Sequence, residues 1–165
     1  MVTCVREYVG IITNIDVYWS IAEEAHGAMR ADLAESMTPK PNGEPGYIIR
    51  WDSDRRSFKN AMVAIAFAGM YLDALLYITL QSRLGRADAM KVDLLPHEER
   101  LKKLGVTDST MLNRVKTFRK TRNDLVHEKA VELADIGGQP LHTAQDAAES
   151  AISLMRDFRG LLAAT

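Results

Sequence analysis

Residues 61–80 (AMVAIAFAGMYLDALLYITL) form a run of 20 with a single charged side chain, Asp73. A run of that length can span a bilayer, or it can be the helix around which a domain packs. An acid near the bilayer centre costs roughly 2.5–3.5 kcal/mol on insertion scales. The run is also rich in alanine, and charged residues make up 26% of the chain. The pattern predicts a central helix of a soluble bundle, buried on most sides. Asp73 then becomes a charge that some partner inside the fold must meet.

The flanking segments read as helices too. Val5, Tyr8, Ile12, Ile15, Trp19, Ala22, Met29 and Leu33 recur at three- and four-residue spacing, which predicts a first helix over about residues 5–35, with His26 on its buried stripe. Residues 37–46 (MTPKPNGEPG) hold three of the five prolines and predict a loop. The long apolar helix is expected to start near Ser53 or Asp54 and to stop at Gly85. After a connector at 86–95, a short helix is expected from Pro96, with Glu98 and Glu99 in its first turn, Lys102 and Lys103 in its last, and Gly105 as its stop. Thr107 or Asp108 caps the next helix, which is expected to run to about Ala134. A break at Ile136-Gly137-Gly138-Gln139-Pro140 precedes a last helix opened by Thr143-x-x-Asp146. No strand pattern is visible. The expected fold is all-α: one domain over residues 1–165, an antiparallel bundle of four long helices plus one short helix.

Composition excludes several classes. Lys and Arg number 21 against 22 Asp and Glu, so any basic surface must be local. The one cysteine, Cys4, closes no intrachain disulfide. The first residues lack a basic segment followed by an apolar run and a cleavage site, which predicts a cytoplasmic protein. No Gly-rich phosphate loop, Cys pair or Ser/His/Asp arrangement is present.

The chemistry concentrates in one segment. Residues 109–123 (STMLNRVKTFRKTRN) carry Arg114, Lys116, Arg119, Lys120 and Arg122 and no acid. On a helix at about 100° per residue, Met111, Val115, Phe118, Leu125 and Val126 form an apolar face, and Arg122 lies within about 20° of its centre. Lys116, Lys120, Asn123 and His127 gather on a flank roughly 100–180° away. A guanidinium on an apolar face must be paired, line a cavity or sit in an interface. Asp73, the lone charge of the central helix, is its expected partner. His127 is about 140° from Arg122, so one undistorted helix does not present both to one small ligand.

Arg122-Asn123-Asp124-Leu125-Val126-His127 resembles the Arg-x(4–6)-His signature of the HEPN superfamily, in which a polar residue follows the arginine. The mid-helix acid upstream, the place of the motif near the end of the fourth helix and the final amphipathic helix extend the likeness. HEPN proteins are small helical bundles, often dimeric, and many are metal-independent endoribonucleases of toxin, abortive-infection and CRISPR systems. The resemblance implies a HEPN-like fold, an RNA substrate, no cofactor and no metal. It makes His127 the acid or base, Arg122 the contact to the scissile phosphate, and Asn123 the residue that orients a phosphate oxygen or His127. Lys116, Arg119 and Lys120 would hold backbone phosphates, and Asp73 would support Arg122. Two motif helices meeting across a homodimer axis would form one composite cleft, and a cognate antitoxin is an expected partner. Some HEPN toxins carry a tyrosine two residues after the histidine that the antitoxin nucleotidylates; here that residue is Lys129.

Other readings stand beside this one. The basic run can be a solvated helix face, and His127 a surface histidine. A HEPN-like module without catalysis, serving binding or dimerisation, is the main alternative. A carboxylate-bridged metal bundle is another, since Glu23-x-x-His26 has the spacing of di-iron bundles, with Asp124-x-x-His127 a poor second copy and Asp73 a bridging candidate. His26 otherwise reads as a core histidine bonded to a neighbouring helix. His97 and His142 sit beside prolines without ligand spacing. Trp19 reads as core, and Trp51 as packing under the proline loop.

Overall fold

The computed structural model describes residues 14–50, 53–126 and 144–163. Six helices occur among them: α1 (Ile15–Ser36), α2 (Arg56–Leu84), α3 (Arg86–Val92), α4 (His97–Lys103), α5 (Ser109–Val126) and α6 (Ala144–Ala163). The expected beginning of the first helix, the extension of the motif helix to residue 134, and Trp51, His127, Lys129, His142 and Thr143 lie outside the described residues.

The chain packs around α2, which meets α1 and α6 most extensively and also touches α3, α4 and α5. Ala61, Ala64, Ala68, Leu72, Leu76 and Leu80 of α2 are fully buried. Small side chains at 61, 64 and 68 let the neighbouring helices approach closely. Met29 of α1, Val115 of α5, and Ile152, Met155 and Phe158 of α6 close over them, each fully buried. Trp19 of α1 is buried against Tyr71, with ring centroids 5.1 Å apart at 41°. The one described helix long and apolar enough to cross a membrane is thus the helix at the centre of the packing.

Local chemistry sets the ends. Asp108 caps α5: its carboxylate accepts from the Thr110 N–H at 2.9 Å and the Met111 N–H at 3.3 Å. Pro96 precedes α4, whose acids open it and whose bases close it. Gly105, at φ +87°, ends that helix, and the Val106 N–H returns to the Leu101 carbonyl at 3.1 Å. α2 begins after Arg55, a non-glycine residue at φ 52°, rather than directly after Ser53 or Asp54.

Two elements differ from the sequence reading. The 86–95 connector contains α3, a seven-residue helix that Gly85 (φ +77°) turns away from α2. The 37–46 loop is part of a small hairpin, β1 (Met37–Pro39) paired antiparallel with β2 (Tyr47–Ile49), with Met37 opposite Ile49 and Pro39 opposite Tyr47. A 3-10 turn at Pro41–Gly43 reverses the chain. Strands of three residues are too short for alternation to show, and a seven-residue helix is barely two turns.

Candidate functional site

Gly69 and Asp73 stand one turn apart on the same face of α2. Arg122 approaches them from α5, whose inward face also carries the buried Met111, Val115 and Phe118. Its side chain lies across Gly69. A Cβ placed there would sit 2.5 Å from Arg122 Nε and 2.8 Å from its Cδ and Cζ. Past the glycine, Arg122 Nη1 comes to 3.7 Å from Asp73 Oδ2, an ion pair longer than a hydrogen bond. The structure therefore brings together the lone charge of the apolar run and the lone arginine of the apolar face.

Asp73 has two further partners, both from α4. His97 Nε2 lies 2.7 Å from Asp73 Oδ1, and Arg100 Nη1 donates to the same oxygen at 3.2 Å. Arg100 also pairs with Asp93 at 2.9 Å, and its Nε donates to the Leu95 carbonyl at 2.7 Å. His97 is buried, and its Nδ1 has no hydrogen-bond partner among the described residues. The tautomer that suits this setting puts the hydrogen on Nε2, donating to Asp73. The reverse would bury an orphaned N–H donor and face a lone pair toward a carboxylate. Burial pushes the Asp73 carboxyl up, but the His97 hydrogen bond and the Arg100 and Arg122 charges outweigh it and hold the group below its ordinary value.

The other motif-segment residues face elsewhere. Lys116, Lys120 and Asn123 are exposed, on the flank of α5 turned away from Arg122. Arg119 forks onto Glu98 of α4, with Nε at 3.2 Å from Oε2 and Nη2 at 2.9 Å from Oε1. Burial raises the Glu98 carboxyl, and the hydrogen bond and charge of Arg119 more than offset it, leaving a net lowering. Arg114 pairs with Asp157 of α6 at 2.7 Å. His127, the expected acid or base, lies outside the described residues.

A groove of about 730 Å³ runs between α5 and α6 over Ile65. Thr110, Asn113, Thr117 and Thr121 line one wall and Glu149, Ser150 and Ser153 the other, and Arg122 lies along it. The arginine thus borders both the Asp73 cluster and open space, with 26% of its side chain exposed.

Glu23, His26 and Asp73 of the metal-bundle reading are each engaged separately, and His127 lies outside the described residues. Glu23 pairs with Arg156 at 3.2 Å. The buried His26 has its Nε2 3.0 Å from Glu149 Oε2 on α6, without the alignment of a hydrogen bond. Among the described residues, no group of three or more His, Cys, Asp or Glu side chains could hold a metal ion.

Sequence reasoning passed over His97, Arg100 and Gly69. The signal available for the first two was their i, i+3 spacing just after Pro96, which places both on one side of a short helix. For Gly69 it was a glycine one turn before the only acid of the run. Compared with family models, with curated proteins and with solved structures, the chain matches none of them.

Proposed function

We propose that the protein is a metal-independent endoribonuclease of toxin or defence type, working in the cytoplasm as a homodimer with a HEPN-like bundle. The observation that carries this reading is the condition of Arg122. It is oriented by Asp73 at 3.7 Å, too far for the carboxylate to consume its donors, and it borders an open groove. A planar fork of donors held in that way suits a phosphate oxyanion.

The chemistry needs no cofactor. A ribose 2′-OH attacks the adjacent phosphorus as His127 removes its proton, the bond from phosphorus to the 5′-oxygen breaks, and that oxygen takes up a proton. The products are a 2′,3′-cyclic phosphate and a 5′-hydroxyl, so DNA is spared. Arg122 stabilises the negative charge that develops on the non-bridging phosphate oxygens, Asn123 orients a phosphate oxygen or His127, and Lys116, Arg119 and Lys120 hold neighbouring phosphates. A second copy supplies the flank that one helix cannot turn toward its own Arg122. A cognate antitoxin is the expected regulator, and Lys129 argues against control by tyrosine nucleotidylation at that position.

The test is cleavage of a mixed-sequence RNA with and without EDTA. Cleavage that resists EDTA, ends in cyclic phosphate and drops at least about a hundredfold in both His127→Ala and Arg122→Ala is the expected result. Folded wild-type protein that cleaves no RNA would overturn the proposal. It would favour the second reading, a non-catalytic HEPN-like module, which has its own supporting observation: Arg122 and Arg119 both face carboxylates of their own chain. Loss of cleavage with EDTA would direct attention to Glu23, His26 and Asp73.

A further inference from the structure

Glycine weakens a helix interior relative to alanine. Gly69 nonetheless sits in the middle of the 29-residue α2. No backbone requirement explains it, since its φ is not among the positive values. The three atoms nearest to a Cβ at this position all belong to the Arg122 side chain, at 2.5, 2.8 and 2.8 Å. They are neither backbone nor core. The space that glycine leaves open is filled by one flexible side chain from another helix.

We propose that Gly69 is a positioning residue for Arg122, the floor of a seat whose end wall is Asp73. Its functional part rests on the ribonuclease reading. The bare Cα lets the arginine lie flat against α2, which closes one side of its conformational space. Asp73 Oδ2 sets how far the guanidinium extends, at 3.7 Å. Asp73 is itself restrained, because His97 and Arg100 hold its other oxygen at 2.7 and 3.2 Å. Arg100 is anchored in turn by Asp93 and the Leu95 carbonyl. Arg122 also lines the α5–α6 groove. A methyl group at position 69 meets the mobile end of Arg122, so the arginine yields before the helix does.

The experiment compares wild type, Gly69→Ala, Arg122→Ala and the double variant by thermal melting, by the NMR signal of the Arg122 Nε–H, and by RNA cleavage. Loss of one Nε–H signal in Arg122→Lys identifies it. The expected result is a displaced Arg122 signal in Gly69→Ala. Gly69→Ala should also raise Tm more in the Arg122→Ala background than in wild type, because only there is alanine's helix preference free of the clash. Cleavage should fall by about tenfold or more in Gly69→Ala, with no further fall when it is added to Arg122→Ala. An unmoved Arg122 signal, or the same Tm change in both backgrounds, overturns the proposal. Should Gly69→Ala fail to fold alone, folding of the double variant supports the seat, and failure of both overturns it. Wild-type protein without cleavage sinks the ribonuclease reading, while the NMR and melting data still decide the seat.

Discussion

Asp73 divides its carboxylate between two tasks. Oδ1 takes the short contacts from His97 and Arg100, and Oδ2 faces Arg122 across a longer gap. Because the folded carboxyl lies below its ordinary value of 3.8, the unfolded chain binds the proton first as the medium is acidified. The stability that Asp73 contributes is therefore complete above that value and is lost as pH falls through the lower, folded one. Asp73→Asn should flatten the decline in unfolding midpoint between about pH 5 and about pH 3, and urea titrations at stepped pH would measure it. Identical slopes in variant and wild type would refute this role. The pairing of Asp73 with Arg122 was legible because each is the one charge on an otherwise apolar face, and burial leaves such charges few places to go. The part played by His97 and Arg100 was not: their i, i+3 spacing puts both on one side of a short helix but does not say which neighbour that side meets. Gly69 was harder still: its contribution is an empty space, and only the incoming arginine shows what the space is for.

The helix α5 has flanks with different duties. Its inward face inserts Val115, Phe118 and Arg122, while Lys116 and Lys120 are exposed. Arg119 lies between, tied to Glu98 and through it to α4. Arg119→Ala should lower stability by about 0.5–1 kcal/mol in urea titration. Lys116→Ala and Lys120→Ala should stay within about 0.5 kcal/mol of wild type. In RNA binding the order reverses: each lysine change should reduce the slope of log affinity against log salt by about 0.7 per lost phosphate contact on a single strand. A similar loss on Arg119→Ala would show its fork exchanging Glu98 for phosphate. Unchanged slopes in all three would remove them from the RNA path. Within the described residues, the long helices were readable from apolar spacing, the start of α5 from Asp108, and the stops of α2 and α4 from the glycines at 85 and 105. The hairpin and α3 were not, because elements of three and seven residues take their shape from turns rather than from a repeating pattern.

At the scale of the whole molecule, α2 buries ten of its 29 residues and still leaves Val63 and Met70 exposed beside the half-buried Phe67. A composite cleft requires two copies, so sedimentation at micromolar concentration should return twice the 18.4 kDa of one chain. A strictly monomeric protein would leave Arg122 and His127 without a shared site. The predominantly helical character was legible in the spacing of apolar residues; the packing that seats Arg122 was not, because it joins α2 to α4 and α5, and no pattern within one helix says which neighbours its face meets. That distribution bears on how such a site is recognised in other chains. In the proposed site, the hexapeptide Arg-Asn-x-x-x-His names the participants but carries no information about where the arginine points. That information is written at positions 69, 73, 97 and 100, as Gly-x-x-x-Asp on one helix and His-x-x-Arg on another. A chain that keeps the hexapeptide and fills the glycine would match a motif search and lack the geometry. Three short patterns read jointly are a stricter signature than any one of them.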